Sequence, residues 1–231
     1  MGYLLLGIVA GLAAVERKGF LQAMLSRPIA LAPLTGLALG DLPGGLAVAA
    51  PLELLWLGAV NLGAAVPVNE ALGTVAIAGG AVLAGMALGT GVTPATAVVA
   101  LLAGAPLALL GRRADRLVEL ANERLAIFAE ETLRHHHPHA AVRLNLAGLA
   151  LPFAIAALLA PAGALVASQL TIRVLQAAPA LDGPLRAGWW AFCGLACAAG
   201  ARALRARRAS VIFGVGAAAA LLVGLGLRVT P

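Results

Sequence analysis

Charge is scarce in this sequence. Asp, Glu, Lys and Arg make up 11% of its 231 residues, where a soluble domain carries about 25%. So few charges cannot dress the surface of a water-soluble fold. From Pro28 to Gly111 there is no Lys or Arg at all, and the only charges are Asp41, Glu53 and Glu70. Aromatic residues are also scarce, at 4%, which leaves no stacking platform for a single-stranded nucleic acid. The net charge of +6 is therefore not a nucleic-acid footprint. The cations gather between apolar runs, as they do in the cytoplasmic loops of membrane proteins.

Cysteine and histidine are equally restricted. Cys193 and Cys197 stand four apart, which suits thiols on one helix face and excludes a disulfide framework. The four histidines, His135, His136, His137 and His139, all fall in one Pro-broken "RHHHPHA" run. That run reads as a solvated loop, since adjacent histidines on a flexible linker rarely build one ordered site. No histidine lies in an apolar segment, which argues against a phosphoryl carrier or proton relay inside the membrane. A P-loop, a dinucleotide fingerprint, a nucleophile elbow and an H-E-x-x-H helix are all missing. No catalytic residue, metal or cofactor is assigned.

What is present is apolar: 61% hydrophobic residues, with a mean hydropathy of +0.97. The expectation is an all-α polytopic membrane protein, with residues 1–231 forming a single membrane-embedded domain. Three basic clusters orient it. They are Arg17, Lys18 and Arg27; then Arg112, Arg113, Arg116, Arg124, Arg134 and Arg143; then Arg202, Arg205, Arg207 and Arg208. The positive-inside rule puts all three in the cytoplasm. Residues 2–15 read as a retained membrane segment, because a secretory signal carries its cations first. The runs at 71–90, 94–111, 144–168 and 184–201 read as spans, with 169–183 as an outside loop. In all, about six transmembrane helices are expected at ~20 residues each.

Residues 28–60 stand apart. The run 28–40 is short for a span, and Pro28, Pro33, Pro43 and Pro51 interrupt the stretch around a Gly40–Gly45 turn. Irregular backbone at membrane depth needs protein or a watery cavity around it. A re-entrant hairpin or broken-helix pair is expected here. Residues 112–143 read as a cytoplasmic amphipathic helix and loop, with Leu117, Leu120, Leu125 and Phe128 at helical spacing. The Gly7/Gly11, Gly36/Gly40, Gly40/Gly44 and Gly85/Gly89 pairs suit close helix packing.

The candidate site lies in 41–70. Carboxylates within membrane segments are costly and are functional candidates by default. On a helix, Glu53 and Asn61 share a face. Asn69 and Glu70 follow a break at Gly63 and Pro67. The two clusters could converge on one cavity. Carboxylates and amides with no cation nearby suit a neutral polyhydroxy ligand. Asp41, with Gly40 and Pro43, reads as a turn or hinge residue, and Gly63 as a second hinge.

The stretch "RPIALAPLTGLALGDLPGGLAVAAPLELLWLGAVNLGAAVP" (27–67) resembles the membrane subunit IIC of the mannose/fructose/sorbose family of the bacterial phosphotransferase system. The resemblance rests on Arg27-Pro28, Gly40-Asp41, Gly44-Gly45, Leu52-Glu53, Gly58 and Gly63-Ala64-Ala65. Beyond about forty residues it is loose. Members often carry a proline and aspartate after the "GAA" stretch, where this chain has Val66-Pro67-Val68-Asn69-Glu70.

The resemblance implies a sugar-translocating subunit in the bacterial inner membrane. It would form a hetero-oligomer with a IID membrane subunit. Cytoplasmic IIA and IIB phosphocarriers would supply the phosphoryl group as the sugar enters, with no phosphorylated residue on this chain. Sugar hydroxyls would meet Glu53, Asn61, Asn69 and Glu70. Two other classes stay open at the level of sequence: a cation-coupled permease or channel using Glu53 and Glu70 as ion ligands, and a regulatory membrane protein derived from a permease.

Overall fold

The structure is a computed structural model that describes residues 2–19, 23–58, 67–135, 138–203, 211 and 214–215. It is helical throughout, with no strand among the described residues. The helices are α1 (Gly2–Arg17), α2 (Pro28–Leu39), α3 (Leu42–Trp56), α4 (Glu70–Leu88), α5 (Pro94–Arg134), α6 (Pro138–Ala147), α7 (Ala150–Ala177) and α8 (Asp182–Ala203). A 3-10 turn at Pro179–Leu181 joins the last two.

Helix α4 is the axis of the fold. It packs on α1, α2, α3, α5 and α7, and every residue from Glu70 to Val82 is buried. Around it the other helices close a ring, each touching the next in the order α1, α7, α5, α8, α3, α2 and back to α1. A helix apolar on all sides is what such a position requires.

Close approach is made possible by glycine. A Cβ on Gly79 would stand 2.8 Å from the Cβ of Ala164, and one on Gly80 2.6 Å from that of Ala167, both on α7. On the α5 side, a Cβ on Gly104 would stand 2.8 Å from Ile77 Cγ1. Gly7 and Gly11 do the same for α1 against Ala157 and Phe153 of α7. In this interior the buried threonines satisfy themselves one turn back: Thr35 donates to Leu31 O, Thr74 to Glu70 O and Thr171 to Ala167 O, at 2.8, 2.7 and 2.7 Å.

Among the described residues, three stretches are long and apolar enough to cross a membrane: Glu70–Leu88, Pro94–Arg134 and Pro138–Ala177. Pro28–Leu39 and Leu42–Trp56 are apolar but shorter. Several boundaries differ from the sequence reading. Pro33 and Pro51 lie inside α2 and α3 without ending them, since a packed apolar setting tolerates the lost donor. The expected loop at 169–183 is mostly helix, because one arginine, Arg173, does not break a helix and is a good helix former. Residues 112–134 are helical as expected and extend the span of α5, while 138–147, read as part of a loop, is helical as well. On that extension Leu117, Leu120 and Phe128 are exposed, whereas Leu125 faces α6 across a groove.

The hairpin of α2 and α3 is tight. Gly40 ends α2 with a φ of 90°, a left-handed turn that glycine adopts without strain. The Asp41 carboxylate then accepts from Gly44 N at 2.9 Å and caps α3, with Pro43 in its first turn. Gly36 and Gly45 bring the two backbones together, each leaving no room for a Cβ.

Candidate functional site

The polar side chains buried at one end of the bundle are organised by three consecutive residues at the end of α1. Glu16 accepts from Met24 N at 2.6 Å and from Ser26 N at 3.0 Å, and so fixes the segment leading into α2. Arg17 reaches α4 and α5. Its Nε and Nη2 each donate at 3.3 Å to the two oxygens of Glu70, and its Nη1 donates to Asp115 Oδ2 at 3.2 Å. Lys18 pairs with Glu119 of α5 at 3.2 Å.

The Arg17 cluster is nearly dry. Side-chain exposures are 11% for Arg17, 9% for Glu70 and 11% for Asp115. Asn69 completes it by donating Nδ2 to Asp115 Oδ2 at 3.0 Å, while its Oδ1 accepts from Leu72 N at 3.0 Å and caps α4. Its backbone N–H bonds Ala108 O of α5 at 3.0 Å. Glu70 lies in the first turn of α4, where the helix dipole favours a negative charge. One guanidinium thus faces two carboxylates, and every hydrogen-bonding atom of Asn69 is used.

Glu53 is also engaged. Its Oε1 accepts from Nε of Arg27 at 3.0 Å and from Nη2 of the same side chain. Its Oε2 accepts from Ile29 N at 3.2 Å, at the start of α2. The carboxylate near the end of α3 therefore closes the base of the hairpin onto the first turn of its other arm. This pair is less dry, with exposures of 24% for Arg27 and 17% for Glu53.

Both carboxylates lie at the same end of the bundle. Glu16 holds the segment that presents Arg27, and the adjacent Arg17 holds Glu70. Trp56, one turn beyond Glu53, packs on Gly73, one turn beyond Glu70. The premise that no cation stands near these carboxylates is corrected: each has its own arginine. Charge pairing across the bundle is the reason, since an ionised carboxylate taken out of water needs a partner. A groove of about 640 Å³ lies between α5 and α6, lined by Asn122, Leu125, Ala129, Leu133, Val142 and Leu149 among others.

Asn61 and Gly63 lie outside the described residues, as do His136 and His137. His135 pairs with Glu131 one turn back, exposed, at 3.0 Å. Asp41 belongs to the far tip of the hairpin, where the backbone around Gly44 meets Val92 in the α4–α5 turn. The sequence reading gave no site role to Asp115 or Glu16; it used Arg17 to orient the chain, and Arg27 for that and for the family resemblance. No local signal pairs Arg17 with partners 53 and 98 positions away.

Comparison with known proteins gives a consistent picture. The family model described as "PTS system sorbose-specific iic component" matches residues 1–204. A relative from Escherichia coli (strain K12), named "Putative N-acetylgalactosamine permease IIC component 2", is 41% identical over 93 residues. That match covers 40% of this chain and 65% of the relative. Among solved structures, a chain described only as "Structure of membrane protein" superposes with a TM-score of 0.70 at 21% identity, covering 98% of this chain and 91% of that one. A chain from the mannose transporter ManYZ in complex with microcin E492 superposes with a TM-score of 0.61 at 22% identity, covering 98% and 90%. At these identities the structural matches speak to the fold.

Proposed function

This chain belongs to the family of sorbose-specific IIC components of the phosphotransferase system, and on that premise we propose that it carries a hexose-like sugar across the bacterial inner membrane. Its partners in this reading are a IID membrane subunit and the cytoplasmic IIA and IIB phosphocarriers. IIB phosphorylates the sugar as it arrives. The chain contributes no phosphorylated group of its own.

The topology proposed is about six spans at ~20 residues each, with α2 and α3 as a hairpin that enters and leaves on the cytoplasmic side. The supporting geometry is that both ends of the hairpin stand at the end of the bundle that carries Arg17, Lys18 and Arg27. Its tip packs near the α4–α5 turn.

The observation that carries the sugar reading is Glu53: a carboxylate at the hairpin base, half-buried and hydrogen-bonded, yet with acceptor capacity left over. With Asn61 it forms the first pair of proposed sugar contacts. Asn69 and Glu70 are the second pair, and they reach a hydroxyl only if the Arg17 cluster opens. The pairing of each carboxylate with its own arginine weighs against a bare metal cation as the cargo.

The test is sugar phosphorylation by membranes holding this chain and its IID partner, with cytosolic phosphocarriers, with and without phosphoenolpyruvate. The sugar panel includes sorbose, mannose and N-acetylgalactosamine. Phosphoenolpyruvate-dependent sugar phosphate supports the reading, and its loss in Glu53→Gln, with the protein still inserted, supports Glu53 as a contact. No phosphorylated sugar from inserted, assembled complex would overturn it.

A further inference from the structure

Glu53 and Arg27 have a relationship that goes beyond charge pairing. An ionised carboxylate offers roughly four lone-pair positions on its two oxygens. From the described residues, three are taken. Oε1 accepts from Nε and Nη2 of Arg27, and Oε2 accepts the N–H of Ile29. One acceptor position remains, on Oε2.

Arg27 is not a mobile surface cation that happens to lie near. Its carbonyl accepts from Ala30 N at 3.0 Å and Leu31 N at 2.8 Å, so it is the residue that starts α2. Two of the three residues before it are held by the Glu16 carboxylate, Met24 (at a φ of 60°) and Ser26. Pro28 follows and restricts its backbone from the other side. The guanidinium is thus delivered from a fixed backbone, and side-on, with Nε and Nη2 directed at the same oxygen.

We propose that Arg27 is the positioning residue that limits Glu53 to a single sugar hydroxyl and thereby sets the selectivity of the chain among sugars. The inference rests on the sugar reading of Glu53 given above. With Arg27 in place, Glu53 accepts one hydroxyl through Oε2 and cannot rotate to bridge a vicinal pair. Without Arg27, Oε1 is released, and the carboxylate accepts two neighbouring hydroxyls or turns to a different one. Lysine is no substitute, because an ammonium cannot place two rigid donors on one oxygen as guanidinium does.

The experiment measures kcat/KM for phosphoenolpyruvate-dependent phosphorylation of the transported sugar and of its series of single-deoxy analogues, in membranes holding the full chain with its IID partner. Wild type is expected to show one dominant deoxy penalty, about tenfold or more, the size expected for a hydrogen bond to a charged acceptor. In Arg27→Gln the dominant penalty should fall by at least about threefold, and a second position should gain one. The change should appear in KM more than in kcat. Arg27→Lys, which keeps the charge and guards against failed insertion, should shift the same ratio in the same direction.

Unchanged deoxy profiles in the inserted variants, with activity lost or kept uniformly across all sugars, would show a merely structural pair and overturn the proposal. If Glu53→Gln abolishes transport while the Arg27 profiles stay as in wild type, only the Arg27 proposal falls. If wild type phosphorylates no sugar, the sugar reading falls and this inference falls with it.

Discussion

Arg17 clamps the end of α1 to the start of α4, its Nε and Nη2 donating to the two carboxylate oxygens of Glu70 at 3.3 Å each. The same guanidinium donates to Asp115, so the two possible losses are unequal. Removing Arg17 leaves two nearly buried carboxylates facing each other. Removing either carboxylate leaves Arg17 with one partner and removes an excess negative charge. Arg17→Gln is therefore expected to destabilise by about 3–5 kcal/mol, the range for an uncompensated buried charge. Glu70→Gln and Asp115→Asn should each cost about 1 kcal/mol. Thermal unfolding of the detergent-solubilised protein reads the order; equal losses in all three would contradict it.

Two glycines, one in α4 and one in α8, give a prediction of opposite signs for one substitution. A Cβ on Gly80 would meet Ala167 at 2.6 Å, whereas one on Gly194 of α8 has nothing within 4 Å among the described residues. Gly80→Ala should cost about 1–3 kcal/mol by overpacking. Gly194→Ala should stabilise by up to ~1 kcal/mol, because alanine loses less entropy than glycine in a helix interior. The same melting measurement decides both.

Much of this was legible before the structure, and the pattern of what was not is physical. Apolar runs with cations between them were enough for the helical class, and Gly40-Asp41 was enough for the turn. Composition also singled out Glu53 and Glu70 as unusual. It could not pair them. The partner of Glu53 is 26 positions upstream and that of Glu70 is 53, and nothing local encodes either contact. Asp115 was hidden by its company: it sits between Arg113 and Arg116 in a stretch that reads as a solvated face, yet it is buried. Leu117, Leu120 and Phe128, read as the apolar face of an amphipathic helix, are all exposed.

Glu16 offers a test of the segment that delivers Arg27. Its two oxygens each take one backbone N–H, from Met24 and Ser26. Glutamine has only one oxygen, so Glu16→Gln must set an amide donor against a backbone donor. The expected cost is about 1–3 kcal/mol for the unsatisfied group. Opening of this segment exposes the bond after Lys18, so tryptic cleavage there should be faster in the variant while the spans stay protected. Cleavage at the wild-type rate would mean that Glu16 does not hold the segment.

The orientation of the bundle follows from the same end-clustering of charge. α4 runs for 19 residues from the Arg17 cluster to a turn at Gly89–Thr93, a length of about 29 Å at 1.5 Å per residue. That is close to the thickness of a bilayer core, ~30 Å. α5 then returns over a similar distance to Arg112 and Arg113 and continues to Arg134. If the arginine-rich end is cytoplasmic, the turn at Thr90 and the connection at Ala180 must both lie outside, and Glu130 inside. In a background lacking Cys193 and Cys197, single cysteines at positions 90 and 180 should react with a membrane-impermeant maleimide on intact cells. A cysteine at 130 should react only after permeabilisation. Because α4 and α5 are joined by so short a turn, position 90 cannot share a side with position 130 unless neither helix crosses. Labelling of 130 in intact cells, with 90 protected, would invert the topology and put Arg27 and Glu53 on the side where no phosphocarrier could meet the sugar.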